Sequence, residues 1–251
     1  MKIKTLASGS KGNASIILCG KTKLLIDIGI SYLNLKRKLE ELKLSLEDFD
    51  ALLITHTHAD HIKGLSSLTK HSNICVYIKE GMYEDLKDKL YSDNICYMED
   101  EFMIHDVSIE LIHTSHDAPS SVGYIITYQD KSLVYVTDTG YINRSYLAKM
   151  KAKDIYLIES NHDEKMLMEG PYPYYLKQRV ISDRGHLSNK TTAKYLENLV
   201  GENTKYVILA HLSEKNNTED LAKEAVCSKL ENKNIEVLIA RQEEESPFIE
   251  V

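Results

Sequence analysis

The sequence predicts an α+β fold in which two facing β-sheets lie between outer helices. Three observations predict it. Apolar strand-like runs alternate with helix-spaced segments in residues 2–90 and again in residues 154–239. Between them, residues 94–136 change to a period of two, with short strands joined by polar turns. No linker rich in Pro, Gly or Ser divides the chain, so residues 1–251 are expected to form one domain.

Residues 2–7 and 15–19 read as neighbouring strands. The small-residue loop between them contains Ser8, Gly9, Ser10, Gly12 and Asn13. Such a loop suits a plain turn, or a place where backbone N–H groups cradle a phosphate, although it lacks the lysine of a nucleotide P-loop. Residues 23–28 form a third strand, closed by Gly29. Asp27 interrupts its apolar run, and a buried carboxylate must be paired or hydrogen-bonded. It could orient a metal-bound histidine or make a structural turn contact. Leu35, Leu39 and Leu42 predict a helix over 33–42, which leads into a strand at 51–54.

That strand ends in the densest chemistry of the chain, His56, His58, Asp60 and His61 in an H-x-H-x-D-H pattern. A spacing of two turns His56 and His58 to one side of an extended segment. Asp60 and His61 can turn in from the start of the next helix. Imidazole nitrogen and carboxylate oxygen suit zinc, and also manganese or iron. An ordinary polar turn is the alternative, but four ligand-type side chains in six residues argue against it.

A helix is expected over 60–70, a strand at 74–78 and a helix over 80–90 through Met82, Leu86 and Leu90. The period-two region supplies strands at 95–98, 102–104, 107–112, 122–128 and 133–136. A strand at 154–158, helices at 174–182 and 190–199, a strand at 206–209, a helix at 220–230 and a strand at 235–239 complete the chain. Three of these strands also run into ligand-type residues, at His113 and His116, at Asp138, and at His211. Functional loops gather at one edge of a layered sheet. If these edges coincide, His116, Asp138 and His211 join the first four residues, and Asp138 can bridge two metals.

Composition narrows the setting. Hydrophobic residues at 43% and charged residues at 27% describe a globular protein. No run approaches the roughly 20 apolar residues of a membrane span, and no membrane partner is expected. The first residues do not read as a signal peptide. Cys19, Cys75, Cys96 and Cys227 lack Cys-x-x-Cys spacing and fit reduced thiols in a cytoplasm. A net charge of −7 leaves no broad basic surface for nucleic acid, though a local patch or bound metal can override the total.

With these residues in hand, the sequence resembles the metallo-β-lactamase superfamily over nearly its whole length. The H-x-H-x-D-H box, the later His116, the T-D-x-G aspartate Asp138 and the A-H-x-S histidine His211 occur in that family's order. The resemblance implies a four-layer αββα fold with mixed sheets. It implies two divalent ions, zinc or manganese with iron also compatible. His56, His58 and His116 would hold one, and Asp60, His61 and His211 the other, with Asp138 and a nucleophilic hydroxide between them. Asp27 matches an early structural aspartate. True β-lactamases of this fold often carry cysteine in place of the bridging carboxylate, so antibiotic hydrolysis fits poorly.

The segments Glu159 to Asp163, Gly170 to Pro173 and Ser182 to Asn189, with the SGSKGN loop, resemble the YycJ or WalJ-like subfamily of DNA-processing exonucleases. More remotely they resemble tRNA 3′-processing endonucleases and small phosphodiesterases. That resemblance implies a DNA exonuclease working from 5′ to 3′, with Asp60, His186 and Glu159 as catalytic residues. His186 would donate a proton and Glu159 would support it. Chemistry agrees, because two metals stabilise an attacked phosphodiester and the departing alkoxide wants a proton from a group tuned near neutrality. The alternatives are a small-nucleotide phosphodiesterase, a glyoxalase-type thioester hydrolase and a non-enzymatic metal-stabilised binding module.

Other candidates are weaker singly. Ser10, Asn13, Arg184, Ser188, Asn189 and Lys190 could meet a phosphate, and His162 and Asp163 could contact ligands or phosphate. Each also suits a solvated loop or a local structural role. Tyr172, Tyr174 and Tyr175 flank a loop stiffened by Pro171 and Pro173. They could stack on a base, pack on a sheet or form a homodimer contact.

Overall fold

Two seven-stranded mixed sheets face each other in the computed structural model, which describes residues 1–91, 93–230 and 234–251. The first contains β1 (Lys2–Ala7), β2 (Ala14–Cys19), β3 (Thr22–Ile26), β4 (Ala51–Leu53), β5 (Cys75–Ile78) and β6 (Ile95–Tyr97). The second contains β7 (Glu101–Ile104), β8 (Val107–His113), β9 (Val122–Tyr128), β10 (Lys131–Val136), β11 (Ile155–Glu159), β12 (Tyr206–Ala210) and β13 (Glu236–Ile239). The chain then returns to the first sheet, where β14 (Ile249–Glu250) pairs antiparallel with β1.

Each sheet is antiparallel through its hairpins and becomes parallel where helices intervene. β3, β4, β5 and β6 run parallel, as do β10, β11, β12 and β13. Parallel strands covered on both faces need continuous apolar runs, and Ala51, Leu52 and Leu53 are all buried. Side chains such as Ile16, Leu24, Ile109, Ile126 and Leu157 fill the space between the sheets. A second core joins Val134, Tyr156 and Ile158 to helices α8 (Asn189–Leu199) and α9 (Glu219–Leu230) through Leu196 and Val226.

The remaining helices are α1 (Tyr32–Glu41), α2 (Ala59–Ile62), α3 (Leu65–His71), α4 (Tyr83–Leu86), α5 (Arg144–Met150), α6 (Glu164–Glu169) and α7 (Tyr174–Ile181). Leu35 and Leu39 of α1 and Leu65 and Leu68 of α3 pack into the first core. The result is the expected α+β arrangement, two mixed sheets flanked by helices.

Three details depart from expectation. The helix anticipated over 60–70 breaks into α2 and α3, because the Gly64 amide donates to the Ile28 carbonyl at 2.9 Å instead of continuing the helix. Residues 80–90 hold only one α-helical turn, α4, between two 3₁₀ turns. Helices α5 and α6 and strand β14 were not anticipated, being only seven, six and two residues long.

This topology places the site. Asp27, His56, Asp138, Glu159 and His211 all lie at or just beyond the C-terminal ends of β3, β4, β10, β11 and β12. Loops at the carboxyl ends of parallel strands are where an α/β sheet leaves room for a ligand. The sheets are tied together beside them. The Tyr124 hydroxyl on β9 donates to the Ile54 carbonyl at 2.7 Å, and the Val122 amide donates to the Thr55 carbonyl at 2.9 Å.

Candidate metal centre

The site is built on turned strand ends. Asp27, Asp138 and His211 have φ values of +59°, +55° and +56°, the left-handed region that non-glycine residues seldom occupy. Each turn swings a polar side chain back over the sheet edge. Such backbone outliers cost free energy and persist where surrounding structure holds them. Gly29 is needed for a related reason: a Cβ there would collide with the Asp60 carbonyl oxygen and the Asn13 amide nitrogen. Its absence lets the β1–β2 loop and the start of α2 close together.

Asp27 is fully buried and holds the first box in place. The Thr55 amide and hydroxyl donate to its two oxygens, each at 2.8 Å, and His61 Nδ1 lies 2.7 Å from Oδ2. That contact leaves His61 Nε2 facing Asp138 Oδ2 at 3.3 Å and Asp60 Oδ2 at 3.7 Å. Burial opposes charge on His61, but the Asp27 and Asp138 carboxylates outweigh it and raise its pKa to about 10.

Seven donor side chains converge. His56, His58 and His116 bring ring nitrogens within 4.8 Å of one another, and Asp60, His61 and His211 form a second such group. Asp138 lies between them, with Oδ1 3.9 Å from His116 Nε2 and 3.5 Å from His211 Nε2. Burial works against its charge, yet His211 and His61 hold its carboxyl well below the ordinary range. Burial pushes His56 the other way, well below 6.5, so that ring is neutral and its lone pair is free.

These residues fit a pair of divalent ions. Among the described residues, His56 Nε2 and Asp138 Oδ2 are buried without a hydrogen bond, Asp138 Oδ2 having only its 3.3 Å charge contact with His61 Nε2. A buried polar atom without a partner is costly, and a cation is a partner that both atoms would accept. Five imidazoles and two carboxylates form a nitrogen–oxygen set suited to zinc, manganese or iron. Asn13 Nδ2 lies 2.9 Å from His61 Nε2, so an ion on that nitrogen would displace this contact.

Asp27 makes a prediction here. Asp27→Asn is expected to weaken metal binding about 10–100-fold, because the carboxylate that orients His61 loses its charge. Chelator-competition titration reads this, and wild-type affinity in the variant would show that Thr55 positions the box unaided.

A second set of residues stands beside Asp138. Glu159 is fully buried at the end of β11, and its Oε1 lies 2.7 Å from His186 Nδ1 and 3.0 Å from His211 Nδ1. Its Oε2 accepts from the Thr139 and Leu187 amides, both at 3.1 Å. Burial raises the pKa of such a carboxyl, but His186 and these hydrogen bonds carry it down to about 2. Burial likewise opposes an imidazolium at His186, and Glu159 overrides it to raise that pKa. One carboxylate therefore orients two imidazoles, one in the donor cluster and one in the cavity wall.

Other candidates divide. Ser10 and Arg184 line the cavity over the cluster, with Tyr172 and Asn161. Asn13 braces the β1–β2 loop, donating to the Gly9 and Asp60 carbonyls at 3.0 and 3.3 Å. Several others do not line that cavity. Asp163 caps α6 by accepting from the Met166 amide at 2.8 Å, and Ser188 caps α8 by accepting from the Thr191 amide at 3.2 Å. Asn189 is buried in a network with Ser160 and Asn217, at 2.7 and 2.8 Å. Burial pushes His162 down to about 4, and it does not line the cavity. Lys190 is 3.7 Å from Glu164, away from the cavity. Tyr174 and Tyr175 are exposed on α7 and do not line it.

Two neighbours escaped the sequence reading. Asp117 Oδ1 lies 3.4 Å from His58 Nε2 and 3.5 Å from His116 Nε2, while Oδ2 pairs with Arg179 at 2.6 Å. Adjacency to His116 was a signal for Asp117. Arg179 had none, because 62 residues separate the pair.

A family model described as a beta-lactamase superfamily domain matches residues 22–212. The chain is similar to exodeoxyribonuclease WalJ of Streptococcus pneumoniae, 38% identical over 228 residues that span 88% of this chain and 85% of that protein. It is also similar to exodeoxyribonuclease YycJ of Bacillus anthracis, 34% identical over 242 residues spanning 94% and 92%. The solved structure of the metallo-β-lactamase fold protein YhfI from Bacillus subtilis covers 98% of this chain and 99% of its own, with a TM-score of 0.74 at 17% identity, which is likeness of fold. Together with the donor clusters, the family match makes this the site of a metal-dependent hydrolase with room for two ions. The chain belongs to the metallo-β-lactamase superfamily, within its YycJ/WalJ-like subfamily.

Proposed function

We propose that this protein hydrolyses phosphodiester bonds with two divalent ions, and that its substrate is DNA degraded from a 5′ end. The observation that carries the reading is the His186–Glu159 pair at 2.7 Å beside Asp138. A phosphodiester has a poor alkoxide leaving group, and a positioned imidazolium supplies the proton it needs. The names of the WalJ and YycJ relatives, both exodeoxyribonucleases, support the choice of DNA and the exonuclease assignment. The 5′ to 3′ direction extends the resemblance noted from the sequence.

His56, His58, His116, Asp60, His61, His211 and Asp138 would hold the ions. When bound, two such ions neutralise charge on the phosphate and lower the pKa of a coordinated water. The chain's own residues do the rest. Asp27 and Glu159 orient His61 and His211 through their Nδ1 atoms. Glu159 also takes His186 Nδ1, which leaves Nε2 to donate toward the cavity. The buried carboxylate stabilises the imidazolium until the proton is given to the departing oxygen. Arg184 offers a guanidinium at the cavity wall.

A small-nucleotide phosphodiesterase is the second reading, favoured by the −7 net charge. A cytoplasmic setting is part of this proposal and rests on the cysteine spacing in the sequence. The test is hydrolysis by purified protein reloaded with zinc or manganese after chelation. The substrates are 5′-labelled single-stranded and duplex DNA, bis-p-nitrophenyl phosphate and a glutathione thioester. Progressive DNA degradation is expected. Turnover of the small diester alone would favour the second reading, and turnover of the thioester alone would overturn both.

A further inference from the structure

Two cavities meet at the metal centre. The first, of about 250 Å³, lies beside α7 and the α7–α8 connection. The second, of about 770 Å³, lies across the β1–β2 loop, against α1 and α2. Ser10 and Asp60 line both. Asp60, one of the donor residues, therefore borders both spaces.

Charge distinguishes these spaces. Lys11, Arg37, Lys38 and Lys63 line the second cavity, with Asp60 and Glu243 as its acids. Lys11 is taken by Glu214 at 2.6 Å, and Lys38 by Glu245 at 3.1 Å. Arg37 donates to Asn34 at 3.1 Å and lies 3.9 Å from Glu41. The exposed Lys63 ammonium has no ion pair or side-chain hydrogen bond among the described residues. In the first cavity Arg179 is held by Asp117, while the Arg184 guanidinium is likewise without a partner among the described residues. Lys63 directly follows the helix that carries Asp60, and Arg184 precedes His186 by two positions. An uncommitted cation thus flanks the metal centre on each side, in a chain whose net charge is −7.

We propose that the two cavities form one track for a polynucleotide strand, which crosses the metal centre over Ser10 and Asp60 and places flanking phosphates on Lys63 and Arg184. The inference rests on the phosphodiesterase reading and assigns the path of the strand on either side of the bond that is cut. A mononucleotide would fill one cavity and leave the larger one idle. A strand continues on both sides of the bond that is cut, and repeats its phosphate at each step. Local cations then supply attraction that the net charge withholds.

The test uses the metal-loaded full chain and single-stranded oligonucleotides from about two to about twelve nucleotides, spanning the usual range of single-strand site sizes. Wild-type kcat/KM is expected to rise with length before levelling off. Lys63→Glu should lower kcat/KM on the long substrates about tenfold, mainly through KM, and reduce the salt slope by about one unit. Its loss on bis-p-nitrophenyl phosphate, too short to reach Lys63, should be several-fold smaller. Lys63→Arg, which keeps the charge, should retain the slope. Length-independent turnover, or equal losses on long and short substrates, would overturn the track while leaving phosphodiester hydrolysis intact. If no phosphodiester is hydrolysed at all, the functional reading fails first and the track with it.

Discussion

Replacing Asp138 with asparagine is expected to lower kcat/KM about a thousandfold or more and to reduce bound metal below two ions per chain. Asp138 faces histidines of both donor groups, at 3.3 Å from His61, 3.5 Å from His211 and 3.9 Å from His116. One of its oxygens is buried without a hydrogen bond among the described residues. Asparagine preserves the size of the side chain and tolerates the left-handed backbone at this position, so the variant isolates the charge. Without that charge, ions that the two groups would hold lose an anionic side chain within reach of both. Metal stabilisation of a phosphoryl transition state is worth several kcal/mol, and about 4 kcal/mol corresponds to a thousandfold. Elemental analysis beside steady-state kinetics checks both parts. Full metal content with full activity would remove Asp138 from the centre.

The second large effect depends on the leaving group. His186→Ala should slow DNA hydrolysis about 10²–10⁴-fold, the usual contribution of a positioned general acid. The same variant should lose far less on bis-p-nitrophenyl phosphate, because nitrophenolate departs without a proton. A structural role for His186 would lower both alike. The pH profile supplies a second readout. The working form of His186 is protonated, and its pKa is raised above 6.5 because Glu159 outweighs the cost of burial. Wild-type activity on DNA should therefore fall as pH rises through that pKa. The alkaline limb should vanish in His186→Ala. A limb that persists unchanged would assign the proton donor elsewhere.

Much of this site was legible from spacing. His56, His58, Asp60 and His61 fall in six residues, and a local pattern of that density survives any plausible folding of its flanks. The apolar strands were legible for a similar reason, since β4 and β11 are buried along their whole length and read as continuous hydrophobic runs, β11 up to its closing Glu159. Ser188, Asn189 and Asp163 looked like phosphate contacts because their side chains carry the right groups. The same groups cap helices, and position in sequence does not say which use prevails. Here Ser188 and Asp163 serve α8 and α6, while Asn189 is consumed by Ser160 and Asn217.

The sequence by itself determined the alternation of strands and helices, the donor residues and their order, because each is written in periodicity or short spacing. Tertiary structure alone decided which distant residues meet. It broke the helix at Gly64 through the Ile28 carbonyl, brought Arg179 onto Asp117, and made one buried carboxylate, Glu159, serve both His186 and His211. It also placed Lys63 and Arg184 in cavities that share Ser10 and Asp60. The physical reason is that hydrogen bonds and ion pairs form where layers pack, and the chain separations involved leave no periodic signal behind.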